Sequence, residues 1–324
     1  MTTSAYGQHV EADVRLLRSF LAVAEELHFA RAATRLFVSQ PALSQQIRKL
    51  ERDLGVALFT RDRRRVALTP AGAALLPEAH AATVAADAYL AAARRISRAH
   101  AGVLTIGFHV QWPDQLLPRI LRAFRRDRPG VDARLKQFDF TDLTAGLRTG
   151  ATDAAFLAPP FDDTGLHLEP LCTELRALLL PEDHPLAGRS SLTVTELLAL
   201  PGPWAEPPSS DPTWRDHWTA APERAARPDA PPLGTTIQVA TFEEYQSLVA
   251  SGAAIGLGLA STVSDYPWPG VAVVPVVDLA PTTLALGWRR GDARPLVAAF
   301  AATARREVVA ASLTDPGRSG TEVS

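Results

Sequence analysis

Gln40, Ser44 and Arg48 follow one another at intervals of four, so on a helix they fall along one strip. Side chains of these types read base edges: Gln bridges N6 and N7 of adenine, Arg bridges O6 and N7 of guanine, and a Ser hydroxyl serves either. Gln45 and Arg52 lie beside the strip. Ser39 suits an N-cap, and Pro41 falls in the first helical turn, where a missing N–H costs no hydrogen bond. Further along, Arg61, Arg63, Arg64 and Arg65 cluster between two short apolar runs, a basic element suited to phosphates. The strip alone would also fit a solvated polar face. The cap, the proline, the short turn before Ser39 and the arginine cluster together favour double-stranded DNA as the partner.

Other chemistry finds no support in the residue pattern. The chain contains no GxSxG, HExxH, P-loop or CxxC arrangement. Its run SGAAIGLGLA, residues 251–260, leads from a turn into a strand, the reverse of the order that cradles a dinucleotide. The eight histidines show no ligand spacing, His184 before Pro185 included. The one cysteine, Cys172, permits no intrachain disulfide, thiolate zinc site or redox pair. No catalytic residue, cofactor or metal is expected, and the chain does not read as an enzyme.

Positioning the strip requires a small helical head. Leu16, Leu17, Phe20, Leu21, Ala24 and Leu27 recur at helical spacing and predict a helix over 14–27. A short helix over 31–37 turns Ala32, Ala33 and Leu36 inward, and Val38 leaves room only for a tight turn. The third helix starts at Gln40, buries Leu43, Ile47, Leu50 and Leu54, and stops at Gly55. Runs at 58–61 and 66–69 form a hairpin. Thr69 and Pro70 open a long helix to residue 99, kinked near Pro77. On it Leu75, Ala79, Ala82, Ala86, Tyr89, Ala93 and Ile96 alternate spacings of four and three, the seam of a coiled coil. That seam predicts a homodimer, which would meet two related half-sites on DNA.

From residue 102 strands and helices alternate. Strands at 103–108, 131–138 and 153–158 flank helices at 113–126 and 142–148, a βαβαβ order that implies parallel sheet. Further strands are expected near 175–180, 236–240, 255–259, 271–277 and 282–288, with helices at 194–199, 213–219, 242–251 and 294–311. The Pro-rich stretch 204–233 reads as irregular, and 314–324 as a disordered tail.

Charge follows the same division. The net −2 conceals +5 over residues 1–100, fourteen Lys/Arg against nine Asp/Glu, and −7 over the remainder. A basic head on an acidic body suits a polyanionic partner. At 324 residues, 47% hydrophobic and 21% charged, the chain is long and apolar enough for two or three domains with sizeable cores. Its first residues, MTTSAYGQHVEADV, lack a basic stretch leading into an apolar one, and no run is long enough to span a bilayer. A cytoplasmic protein without membrane contact is expected.

The string LLRSFLAVAEELHFARAATRLFVSQPALSQQIRKLERDLGVALFTRDRRRVALTPAG, residues 16–72, resembles the winged helix-turn-helix head of LysR-type transcriptional regulators, most specifically in SQPALSQQIRKLE. The likeness extends more weakly to about residue 311. It implies an α/β fold class with three parts: an N-terminal winged helix-turn-helix over 1–70, a long dimerising linker helix over 71–101, and a C-terminal two-subdomain α/β effector domain over 102–313 resembling periplasmic solute-binding proteins. Subdomain I would take 102–163 and 279–311, and subdomain II 164–278. By the resemblance Gln40, Pro41, Ser44, Gln45, Arg48 and Arg61 hold DNA-contacting positions, and effector domains pair dimers into a homotetramer. Two residues depart from the family pattern: Gln45 where an arginine is common, and Ala30 where Thr or Ser often caps the second helix. The rival reading, a stand-alone small-molecule-binding protein of the solute-binding type, is opposed by the basic head.

The same likeness places a small-molecule effector in the cleft between subdomains. The cleft walls are the loop after the first body strand, with His109, Gln111 and Trp112; the loop before Asp142, with Asp139, Phe140 and Thr141; and the helix start after Ala240, with Thr241 and Phe242. Helix starts at Pro113, Asp142 and Phe242 would offer backbone N–H groups to an anion such as a carboxylate. Gln111 and Trp112 replace a small hydroxyl residue usual in the first loop. With Phe140 and Asp139 they favour a bulkier, aromatic or cationic effector over a small simple acid.

Overall fold

Asp13 accepts from the Arg15 N–H at 2.9 Å and so starts α1 (Val14–Glu26). It is the first residue that this computed structural model describes, the described residues being 13–62, 65–100, 102–109, 116–206, 211–262 and 268–314. They form two compact units that part between Ala93 and Arg94. The next helix, α2 (Phe29–Arg35), begins earlier than expected because the His28 ring supplies its cap, accepting from Arg31 N at 3.4 Å; Ala30 needs no capping side chain. As predicted, α3 (Gln40–Leu54) opens on Ser39, whose hydroxyl accepts from Ala42 N at 3.3 Å, and ends on Gly55. The turn before it takes in residues 36–39 and not Val38 alone, because Phe37 leaves the helix with a left-handed φ of 54°. Leu16, Phe20, Val23, Ala32, Leu43, Ile47 and Leu50 form the head core, while Leu27 and Leu54, expected inside, are exposed at helix ends. Ser19 Oγ meets the Gln46 side-chain amide at 2.7 Å and sets α1 against α3.

The wing is β1 (Phe59–Asp62) antiparallel to β2 (Arg65–Leu68). Glu51 of α3 ties it down, accepting from Leu58 N at 2.9 Å and Phe59 N at 3.3 Å. Thr69 closes the other side. Its N–H donates to Leu58 O at 2.9 Å, and its hydroxyl accepts from Gly72 N at 2.9 Å as the cap of α4 (Pro70–His100). A Cβ at Gly72 would lie 2.2 Å from Leu58 O, so this junction demands glycine. The expected seam on α4 is shortened at one end, because Leu75 and Ala79 are drawn into the head core. Tyr89 and Ile96 remain 74% and 61% exposed.

The second unit runs β3 (Val103–Phe108), α5 (Leu116–Asp127), β4 (Asp132–Gln137), β5 (Ala154–Leu157), β6 (Leu166–Glu174), β7 (Arg176–Pro181), α6 (Val194–Leu198), β8 (Trp204–Glu206), α7 (Pro212–Trp218), α8 (Ala221–Ala225), β9 (Thr236–Gln238), α9 (Phe242–Ala250), β10 (Gly256–Leu259), β11 (Val271–Pro275), β12 (Thr282–Arg289) and α10 (Pro295–Thr314). One sheet has the order β4-β3-β5-β12-β6, parallel from β4 to β5 and antiparallel beyond. The antiparallel sheet β10-β7-β11 and the parallel pair β8-β9 form the rest. Helices α5 and α10 cover the first sheet, with the Phe124 and Phe300 rings edge to face at 5.2 Å.

Three expectations are corrected in this unit. No helix forms over 142–148. Residues 143–150 are successive turns, since Ala145 and Gly146 take left-handed φ of 45° and 82°. A Cβ on Gly107 of β3 would come within 2.2 Å of Ala145 O, so glycine lets these turns pack on the strand. β6, unread as a strand because it contains Pro170, lies at the sheet edge with a shift of register opposite Leu284 and Ala285. Residues 166–174 therefore belong with the first sheet and not with the subdomain assigned to 164–278. Finally, β8 and α8 join the expected helix, α7, in the stretch 204–233 that otherwise read as irregular, and Asp211 caps α7 on Thr213 N at 2.9 Å.

Arg176, 1% exposed at the start of β7, donates to Ala280 O at 2.8 Å, His217 O at 2.5 Å and Glu223 Oε1 at 2.7 Å. Beside it, burial and then the Arg176 charge push the His217 imidazole down to about 3 from an ordinary 6.5. The unfolded chain thus takes up a proton that the folded chain refuses. Stability from this site is complete above pH 6.5 and is lost as pH falls toward 3. Urea unfolding across that window should show a loss approaching ~1.4 kcal/mol per pH unit in the wild type that His217→Gln lacks. Parallel pH profiles for the two proteins would contradict it.

Candidate functional site

Leu43, Ile47 and Leu50 turn one side of α3 into the head core, which leaves Gln40, Ser44 and Arg48 along the other. Gln40, Pro41, Gln45, Arg48 and Arg52 are exposed, Ser39 is exposed at the helix start, and Ser44 is half-buried. Ala42, Gln45, Gln46, Arg48, Lys49 and Arg52 line an open groove. Lys49 pairs with Asp53 at 2.7 Å, whereas the Arg48 and Arg52 side chains make no hydrogen bond or ion pair among the described residues. Arg61 lies in β1 and Arg65 opens β2; Arg63 and Arg64 lie outside the described residues. Glu51, which anchors the wing, escaped the sequence reading. Its signal was an acid at the next position of the buried stripe Leu43 and Ile47, where a carboxylate must find donors.

In the second unit a mostly apolar cavity opens between elements of the two sheets. It admits the centre of a water molecule over about 80 Å³, room for several waters. His109, Phe140 and Leu143 come from the first sheet's loops, Trp214 and Trp218 from α7, Phe242 and Tyr245 from α9, and Leu257 from β10. Phe140 joins the sides: its ring lies 5.5 Å from Trp214 and 6.0 Å from Phe242, and its N–H donates to Ala240 O at 3.0 Å. Burial lowers the His109 pKa, so its ring is neutral. Its Nε2 lies 2.8 Å from the Asp142 carbonyl, which can only accept, so Nε2 carries the proton and Nδ1 is left as an acceptor. Burial pushes the Tyr245 hydroxyl up, and that hydroxyl donates to Leu257 O at 3.0 Å.

The structure brings His109, Phe140 and Phe242 together on this cavity and keeps three other expected residues off its lining. Asp139 is exposed and accepts from Thr141 N at 2.9 Å, with the Thr141 hydroxyl on the same oxygen. Thr241 caps α9, accepting from Glu244 N at 3.1 Å. Their polar groups are satisfied locally. Gln111, Trp112 and the helix start at Pro113 lie outside the described residues. No helix N-terminus exists at Asp142, whose carboxylate accepts from Thr144 N at 3.1 Å and Gly146 N at 2.9 Å. Sequence reasoning placed Trp214 and Trp218 on a helix over 213–219 but did not bring them to the cavity.

A winged helix-turn-helix head, a long helix and a two-sheet α/β body with a cavity between its sheets define a class of chain that joins a nucleic-acid-binding fold to a ligand-binding one. Residues 14–73 match the bacterial regulatory helix-turn-helix protein of the lysR family, and residues 97–309 match the LysR substrate binding domain. The chain belongs to the LysR family. The transcriptional regulator AlsR of Bacillus subtilis is 38% identical over 57% of this chain and 61% of its own length, so that alignment takes in under two thirds of the relative. HcaR of Escherichia coli, an hca operon transcriptional activator, is 31% identical over 90% of this chain and 96% of its own. Among solved structures, full-length BenM is 25% identical, covers 95% of this chain and 100% of its own, and has a TM-score of 0.52. A cysteine mutant of Corynebacterium glutamicum OxyR with bound hydrogen peroxide is 29% identical over 94% of this chain and 96% of its own, with a TM-score of 0.50.

Proposed function

We propose that the protein is a DNA-binding transcriptional regulator of the LysR type whose DNA binding is changed by a small molecule held between its two α/β subdomains. The observation that carries this reading is the strip on α3: Gln40, Ser44 and Arg48, with Gln45 and Arg52 beside it, project from a closed core, and the guanidinium groups of Arg48 and Arg52 have no intramolecular partner among the described residues. The remaining α4 face, Ala82, Ala86, Tyr89, Ala93 and Ile96, would pair two chains so that their heads meet two half-sites; effector domains would pair dimers into tetramers. His109, Phe140 and Phe242, with Gln111 and Trp112, contact the effector. The protein acts in the cytoplasm as a regulator and not as an enzyme. No helix among the described residues is long and apolar enough to cross a membrane. With one cysteine, Cys172, the chain forms no internal disulfide, so a response by thiol pairing within it is not part of this reading.

The wing tests the phosphate-binding half of the proposal. Titration of the full chain against duplex DNA at several salt concentrations should give a steep fall of log K with log salt. Replacing Arg63, Arg64 and Arg65 by Ala should flatten that slope by up to about 2.7, at ~0.9 for each phosphate that is no longer neutralised. An unchanged slope would remove the wing from the DNA-binding surface.

A further inference from the structure

The cavity assigned to the effector has a chemistry of its own, and it disfavours charge. Its described lining holds no Lys or Arg. The α9 start is closed to a carboxylate, because Thr241 occupies the cap and Glu243 and Glu244 fill the first turn. A cation finds no partner on the described lining either. The described lining holds no carboxylate, and Asp139 and Asp142 already accept hydrogen bonds from their own loop.

Aromatic surface fills the space between. The Trp218, Trp214, Phe140 and Phe242 rings follow one another at 6.2, 5.5 and 6.0 Å. Two polar groups belong to residues of this lining. His109 is neutral and leaves Nδ1 as an acceptor. Trp218 Nε1 is buried without a hydrogen-bond partner among the described residues, although a buried N–H ordinarily finds one. We propose that the effector is a neutral aromatic compound carrying a hydrogen-bond acceptor, its ring enclosed by Phe140, Trp214, Trp218 and Phe242 and its acceptor on the Trp218 indole N–H. This assignment rests on the reading of the cavity as the effector site.

Isothermal titration of the full chain near neutral pH with acetophenone, ethylbenzene, benzoate and benzylammonium tests it. Acetophenone should bind at least about tenfold more tightly than either ion. Trp218→Phe should weaken acetophenone by about three- to tenfold and leave ethylbenzene within about twofold, because only the former has an acceptor to lose. Equal or tighter binding of benzoate or benzylammonium, or no binding of acetophenone, would overturn the assigned class. Equal effects of Trp218→Phe on the two neutral probes would overturn the indole contact. Two cavity-filling variants, Ala205→Leu and Leu143→Trp, separate class from place. If either, folded, abolishes benzoate binding, the site stands and the class fails. If acetophenone still binds to both, the site reading fails as well.

Discussion

Glu223→Ala should cost about 3–5 kcal/mol of folding stability, the largest single effect expected in the second unit. The Arg176 guanidinium would stay 1% exposed with two carbonyl acceptors and no counter-charge. Burial already lowers the Arg176 pKa, with the Glu223 carboxylate opposing that shift, so its loss leaves the desolvation uncompensated. Glu223→Gln keeps an acceptor for Nη2 and should cost less. Replacing both partners with apolar residues should recover much of the loss, since no buried charge then remains. Urea unfolding followed by tryptophan fluorescence measures all three. A Glu223→Ala protein within about 1 kcal/mol of wild type would mean that water reaches the guanidinium and that the pair does not anchor β7.

Arg48→Ala should weaken binding to the cognate duplex by roughly 5- to 150-fold, the equivalent of ~1–3 kcal/mol for a bidentate base contact, and relax selectivity at one position per half-site. Folding should be spared. The Arg48 side chain is exposed, forms no intramolecular bond among the described residues, and would be exchanged for that of the best helix former. Equilibrium binding to the cognate duplex and to single-base variants gives the readout. A uniform loss across all sequences would instead make Arg48 a phosphate contact.

Legibility in the sequence followed the range of the interactions. Ser39, Gly55 and Thr69 act within four residues, so the limits of α3 and the start of α4 could be read directly. The His28 cap escaped because His competes poorly with Ser or Thr as a cap residue by type. Leu75 and Ala79 fit the seam by spacing, but a seam does not reveal which partner covers it, and the head core does. Pro170 hid β6, and the left-handed pair Ala145 and Gly146 replaced an expected helix by turns. Three of the expected effector residues were legible as cavity residues because aromatic and imidazole rings at loop ends have few local uses. Asp139, Thr141 and Thr241 lie off the described lining because short polar side chains satisfy nearby backbone. Trp214 and Trp218 reach the cavity from a Pro-rich stretch whose packing is set far along the chain, by Ala158 O on the Trp214 indole at 3.2 Å.

Selection of duplexes by the full chain from a random-sequence library tests the central claim most directly. Two related half-sites should be enriched, with centres separated by about 10–10.5 bp or a multiple of it, as two heads on one face of the duplex require. The same selection with Gln40→Ala and Arg48→Ala combined should lose the half-site sequence while retaining salt-sensitive binding to duplex DNA. Enrichment of no sequence by the wild-type chain, or an identical sequence enriched by the double variant, would contradict base reading by α3.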